Sequence, residues 1–581
     1  MNYSKIDMGT KHKLAKLPSK RTINLSLWSS FNTPLHRAGL AGISMALKHL
    51  QPDKGKVIDW ELNTNKITLN WTCTDREALT WLLDNTYQLT PEGIIKIPAL
   101  GGISSDTAIV MHNGILNTFL QHPKSVASSG IQNRVIQLDE SQQIEVKYKA
   151  ITGYNHQNLK SYNHQQINDL PSQTKKKTDS RKKLYNSQGY FEPFIRIVSW
   201  LYPGATDKHV ALGGATELQE SPGGFISLLF APIACSYYQV RSRLKASKSR
   251  WALIIPHVED LETFANIRLT EGFQVVSYDN YFASGVSDAS LRYLMLIAGD
   301  KTATYQKVQT CDVWSFGAVD WSQQQTITQR HVVDLSPQLR EEYELCQLHL
   351  ENGKKVGKNG TFIDVSFGRE IAAENLVQGK PWYRGIHEIL KFNSEVFTLL
   401  TYERKSLRNM KESTIEKNLT EEMATLFSDA FTWQLRQRFS ELKRNTSSGK
   451  PNYDKVRTDI LMSIRDCRTS QAFTKLQTLV FSRPTSAKNP FLQGIELAKF
   501  YLWMTQHWQD CLSLMTLAIV GYQDPWKTPR IAKILESKGL KKPQYLIDDT
   551  DEEAVDSISQ IPESDEDDNP YQSTDDNPSS D

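Results

Sequence analysis

Between Pro34 and Leu50 the apolar positions Leu35, Ala38, Gly39, Gly42, Ile43, Ala46, Leu47 and Leu50 recur three and four apart, the spacing of one helix face. Thr33 is a suitable N-cap, Pro34 suits the first helical position and Gln51-Pro52 stops the run, so the spacing predicts a helix from Pro34 to about Leu50. Gly39 and Gly42 on its buried stripe would admit a close neighbour. Residues 1–150 mix such helices with extended runs and form an N-terminal α/β part. From 151 to 188 the chain turns polar and reads as a basic linker or surface loop. It repeats YNHQ at Tyr154 and Tyr162 and carries Lys175, Lys176 and Lys177. Residues 189–405 alternate helical stretches with the short apolar runs Phe225 to Ala231, Trp251 to Ile255, Phe273 to Val276 and Phe362 to Val365, the pattern of a central α/β part.

After Lys405 the period becomes helical. Ser413 and Glu416 have capping-box spacing ahead of Leu419, Met423, Leu426 and Ala430, and Phe491, Ile495, Ala498 and Leu502 form a second stripe. Shorter helices are expected around Val456 to Ile464, Phe473 to Val480 and Ile531 to Leu535. Residues 406–545 therefore read as a helical bundle. The fold class expected is α+β, a mixed α/β N-terminal region followed by a C-terminal α-helical bundle and, over 546–581, a disordered acidic tail. The longest uncharged run, Ser221 to Val240, is broken by prolines and glycines and reads as buried core rather than a membrane span.

Charge sharpens this division. Residues 548–581 hold 14 Asp and Glu and no Lys or Arg, which leaves the body with 68 cations against 51 carboxylates, or +17. Residues 406–547 carry 22 Lys and Arg against 13 Asp and Glu, more than half of that excess. A body of this charge favours a polyanionic partner. The six cysteines lie far apart without disulfide-module or zinc-ribbon spacing, and no apolar leader follows the basic N-terminus, so a reducing cytoplasmic setting with no cofactor and no membrane is expected.

No HExxH, GxSxG or phosphate-binding GxxxxGK[ST] spacing occurs. The run from Gly353 to Lys358 is one residue short of a phosphate loop and reads as a basic turn. Cys346 and His349 at CxxH spacing lack a matching pair and read as helix packing. His156 and His164 read as solvated. Two stretches suit nucleic acid. Tyr237, Tyr238, Arg241, Arg243, Lys245, Lys248, Arg250 and Trp251 interleave cations with rings, which neutralise phosphates and stack on unpaired bases respectively. The competing reading is a basic loop with Tyr237 and Trp251 in the core. In the first helix, His36 and Arg37 occupy the opening turn, where the dipole disfavours cations, so a compensating anion such as phosphate is expected there. Arg37, Ser44 and Lys48 lie near one polar face, and a solvated surface is the alternative.

The string Pro34-Leu35-His36-Arg37-Ala38-Gly39-Leu40-Ala41-Gly42 resembles the N-terminal signature of the large subunit of type I CRISPR surveillance complexes (Cascade), the Cas-eight family in its myxobacterial-type variant. FISLLFAPIACSYYQVRSR and WALIIPHVEDLETFANIR resemble its central segments, so the resemblance covers points along residues 25 to 300. It implies a non-catalytic subunit of an RNA-guided defence complex, whose α/β domain reads the motif flanking a DNA target (the PAM) and whose bundle lies beside the displaced strand. It also implies as partners a CRISPR guide RNA, target double-stranded DNA, other Cascade subunits, and a helicase-nuclease or transposition proteins. Two other classes stay open: a nuclease with dispersed metal ligands, and a structural protein whose basic bundle binds an acidic partner.

Overall fold

The computed structural model describes residues 20–120, 128–151, 184–197, 208–209, 214–215, 218–241, 250–269, 276–298, 309–319, 322–357, 360–389, 395–446, 451–481 and 489–547. The chain opens with β1 (Arg21–Ser26), α1 (Pro34–His49), β2 (Ile58–Leu62) and β3 (Lys66–Trp71), the strands forming an antiparallel sheet of order β1-β3-β2. Then come α2 (Asp75–Thr86), α3 (Ser105–Thr118), the hairpin β4 (Ser128–Gln137) and β5 (Gln143–Ile151), and α4 (Pro222–Ala234). A five-stranded sheet follows, made of β6 (Ser236–Val240), β7 (Arg250–Pro256), β8 (Phe282–Ala283), β9 (Thr310–Val319) and β10 (Ser322–Asp334) in the order β8-β6-β7-β9-β10. Only β8 runs parallel to its neighbour. Helices α5 (Leu261–Arg268) and α6 (Val286–Ala298) are inserted between its strands.

Among the described residues the second half is helical apart from one hairpin, β11 (Gly353–Gly357) with β12 (Gly360–Asp364). Its main helices are α7 (Pro337–His349), α8 (Phe367–Val377), α9 (Arg404–Glu416), α10 (Glu422–Asn445), α11 (Tyr453–Asp466), α12 (Ser470–Phe481), α13 (Leu497–Gln506), α14 (Trp508–Val520) and α15 (Pro529–Ser537). The expected fold class is thus found. Among the described residues, one cluster of buried apolar side chains runs from Leu25 to Ile547, so the α/β parts and the bundle share a continuous core. Inside it Asp288 is fully buried. It receives Arg292 at 2.9 Å, the Tyr343 hydroxyl and the Ser284 N–H, with Arg369 3.8 Å away. Burial alone would raise its carboxyl pKa, but the two guanidiniums outweigh burial and hold it below the usual range.

The start of α1 falls where the spacing puts it, at Thr33 and Pro34, but the helix is buried almost all round from Leu35 to Leu47. Ser44, expected on a polar face, is 2% exposed. The reason is α4. A Cβ on Gly39 would fall 1.9 Å from the Ser227 carbonyl oxygen and one on Gly42 2.2 Å from that of Phe230. The matched step of three shows that the helices run parallel, and only glycine lets their backbones approach so closely.

Three local expectations are corrected. Phe225 to Ala231, grouped with the extended runs, is helical, because Ser221 caps the segment, Pro222 opens it, and burial on every side removes the polar positions that would mark a period. Ser413 and Glu416 do not begin a helix but close α9. The chain reverses at Asn418, whose φ of +56° is a left-handed conformation that asparagine tolerates, and Leu419 N–H closes the turn on the Thr414 carbonyl. The stripe from Phe491 to Leu502 is interrupted by Gly494 at φ +79°, and α13 buries Phe500, Trp503 and Met504 while Leu502 stays 58% exposed.

Candidate nucleic-acid interface

At the start of α1 the His36 ring is 2% exposed and turned back on its own cap, its Nδ1 accepting the Thr33 N–H at 3.3 Å. Its Nε2 lies 3.2 Å from Glu220 Oε1. Glu220 immediately precedes the Ser221 cap of α4, so one carboxylate serves two adjacent helix N-termini, neither of which has an acidic residue in its first turn. The protein itself therefore supplies the anion that the first turn calls for. Arg37 takes another course. Its guanidinium carbon lies 5.7 Å from the centre of the Trp28 ring, and its Nε makes no hydrogen bond. Trp28 is 57% exposed and Phe31 87% exposed, on the loop that joins β1 to α1. Lys66, paired in register with Ser26, stands exposed beside that loop. Lys48 is partly buried in the last turn, at the opposite end of α1.

The second expected site separates into core and rim. Tyr237, Tyr238 and Trp251 are 2%, 4% and 4% exposed, so the rings proposed to stack on bases are unavailable and the core alternative holds for them. Tyr237 donates to the Pro232 carbonyl at 2.9 Å. Arg241 is committed to the protein, with Nη1 on the Ile363 carbonyl at 3.0 Å and its guanidinium 5.0 Å from the Phe282 ring. Arg250 is partly exposed at the start of the central strand β7, its stem crossing Gly317. Arg243, Lys245 and Lys248 lie outside the described residues, as do Lys175, Lys176 and Lys177, the two YNHQ histidines and the acidic tail.

In the bundle the cations fall into two groups. Arg530 forks onto Asp429 at 2.7 and 2.8 Å and reaches Glu412 at 3.2 Å; Lys411 pairs with Glu412 at 3.2 Å, and Arg436 with buried Asp524 at 3.2 Å. Burial raises the Glu412 carboxyl, and the pull of Lys411 and Arg530 more than reverses it. Lys455, Arg468, Lys475, Lys533, Lys541 and Lys542 are exposed. Exposed cations of this second kind can meet a phosphate backbone.

The near phosphate loop is a strand. Lys354 and Lys355 sit on β11 and pair with Asp139 and Asp364, without the loop-to-helix turn that cradles phosphate. Cys346 is buried, and His349 Nε2 lies 2.8 Å from Ser413 Oγ, which makes their spacing helix packing. Among the described residues no group of three or more His, Cys, Asp or Glu is placed to hold a metal ion. Sequence reading missed Trp28, Phe31 and Lys66. The only local signal was the Ser-Ser pair between the two rings, a turn mark inside an otherwise strand-like run.

Residues 24–229 match the DevT N-terminal domain family. The chain is also similar to the CRISPR-associated protein Cas8a1/Csx13 of Myxococcus xanthus (strain DK1622), 22% identical over 542 residues, which cover 85% of each chain. The resemblance seen at Pro34 to Gly42 is thereby borne out, and with 85% of the chain covered it extends past residue 300. Among the described residues no helix is long and apolar enough to cross a membrane.

Proposed function

We propose that this chain is the non-catalytic large subunit of a type I CRISPR RNA-guided complex, which recognises the target-flanking motif and stabilises the opened DNA. The observation that carries this reading is likeness to Cas8a1/Csx13 along 85% of both chains. The charge distribution supports it, since a body of +17 with exposed cations on the bundle suits contact with phosphates along a duplex and a displaced strand. In this reading the protein works in the cytoplasm with a guide RNA, the other Cascade subunits and a separate helicase-nuclease or transposition module. Arg37, Lys48, Arg250, Arg243, Lys245, Lys248 and Lys175 to Lys177 contribute backbone contacts. Arg241 is left to hold the fold.

Purification from cells that carry the whole locus tests this: the chain is expected with small RNA of uniform, repeat-derived sequence, and its absence rejects the reading. The phosphate role has its own test. Reversing Arg243, Lys245 and Lys248 to Glu should flatten log affinity against log salt by about 0.9 per lost duplex contact. Flanking-motif discrimination should survive. An unchanged slope with lost discrimination would mean that these residues read bases.

A further inference from the structure

The loop from Ser26 to Thr33 holds its two outward rings in a fixed frame. Asn32 Nδ2 donates to the Ser26 carbonyl at 2.6 Å, Asn32 N–H to that of Ser29 at 3.0 Å, and Trp28 N–H to Ser26 Oγ at 3.4 Å. Burying either ring within the chain would contribute favourably, yet Trp28 and Phe31 remain 57% and 87% exposed on this braced turn. Two cations flank them. Arg37 lies behind Trp28, and Lys66 is exposed beside the loop. From Lys20 to Pro52 the chain has four Lys and Arg and no Asp or Glu, while the start of α5, with Asp260 and Glu262, meets the neighbouring turn at Thr64. Glu220, the carboxylate nearest to the helix start, is engaged with His36.

We infer that Trp28 and Phe31 form a stacking platform for unpaired bases of a single-stranded nucleic acid, with Arg37 and Lys66 neutralising the phosphates of the stacked nucleotides. This rests on the proposed function and adds to it a single-strand contact in the α/β part, distinct from phosphate contacts on the bundle. Arg37 and Lys66 favour nucleic acid over an apolar protein surface, since each base offers a face to an aromatic ring while its phosphate meets a cation.

Fluorescence of 2-aminopurine in a single-stranded oligodeoxynucleotide, titrated with the full-length chain, tests the inference against duplex of the same length. The expectation for Trp28→Ala with Phe31→Ala is a loss of roughly tenfold or more on the single strand, with less quenching at saturation. Duplex affinity should stay within about twofold, because the duplex contacts go to phosphates. Trp28→Phe with Phe31→Tyr keeps both rings and should restore most of the single-strand binding; since the rings are exposed, neither variant should unfold. Equal loss on both forms, or none on either, overturns the platform while leaving the proposed function standing. Lost association with other subunits at unchanged single-strand affinity also overturns it, by showing that the rings seat on a protein. A wild-type chain and complex that bind no nucleic acid remove both readings together.

Discussion

Where α1 lies along α4 the contact is backbone on backbone, made by Gly39 and Gly42 against the carbonyls of Ser227 and Phe230. In the bundle, Phe427 sits among rings instead, with centroids at 6.3 Å for Phe431, 5.9 Å for Phe481, 6.4 Å for Phe500 and 6.5 Å for Trp503. The two regions also treat their cations differently. The bundle folds Arg436 and Arg530 inward onto Asp524 and Asp429, whereas the start of α1 leaves Arg37 beside an exposed indole. Net charge is therefore a poor guide to which surface attracts a polyanion. The bundle has more cations, but part of that charge is neutralised inside, while the loop before α1 has few cations and acid-free surroundings in sequence.

The sharpest way to break the packing contrast is to change one residue on each side. Phe427→Ala should lower stability by about 4 kcal/mol, and Phe427→Leu by clearly less, because a ring cluster partly closes around a smaller apolar group. Gly39→Ala should cost about 3 kcal/mol with no better small replacement, since the group it strikes is a carbonyl that cannot turn aside. Denaturant unfolding of the three variants checks this. A Gly39→Ala protein within experimental error of wild type would show that the helices separate freely.

The contrast in cations predicts a slightly smaller effect. Asp429→Ala leaves the Arg530 guanidinium without its forked partner and should cost about 3 kcal/mol. Arg37→Ala should stay within about 0.5 kcal/mol in melting experiments while target affinity falls. If Arg37→Ala unfolds the protein and leaves residual binding normal, Arg37 is structural and the contrast collapses.

The smallest effect at ordinary pH concerns His112 on α3. Its Nδ1 accepts the Ile95 N–H at 3.1 Å, and its Nε2 donates to the Lys149 carbonyl at 2.9 Å, which leaves no place for a second proton. Burial pushes its pKa down to about 4, with the Lys149 carbonyl opposing only in part. The unfolded chain takes up a proton near pH 6.5 and the folded chain does not, so stability is full above 6.5 and falls as pH drops toward 4. The loss at pH 5.5 should be on the order of 1 kcal/mol. His112→Gln, which offers the same acceptor and donor, should flatten that slope between pH 6.5 and 4.5. An unchanged slope would place its origin in other groups.

Much of this was legible along the chain. The cap at Thr33, the glycines at 39 and 42, and the helices around Val456, Phe473 and Ile531 follow from spacing and cap chemistry, which act within a few residues. The errors share one cause. Ser413 and Glu416 have the right types and interval for a helix start, and nothing local shows that Asn418 turns the chain after them. Tyr237, Tyr238 and Trp251 are interleaved with cations as a base-binding strip would be, but they lie on two central strands, where a sheet packed on both faces accounts for them equally well.

What the sequence by itself determined is the order of elements, the α+β class, the concentration of positive charge in the body and the likeness to a CRISPR-associated family, because periodicity, composition and local strings are properties of short stretches. Only the tertiary structure decided which rings and cations face outward. Trp28 and Trp251 are the same residue type in similar strand-like runs, and one is exposed while the other is buried. Exposure depends on what arrives from elsewhere in the chain: Trp251 lies on β7 between β6 and β9, in a sheet against which α1, α3 and α6 pack, whereas among the described residues the Trp28 ring stays 57% exposed. Such long-range contacts join residues tens to hundreds of positions apart, beyond the reach of any local pattern.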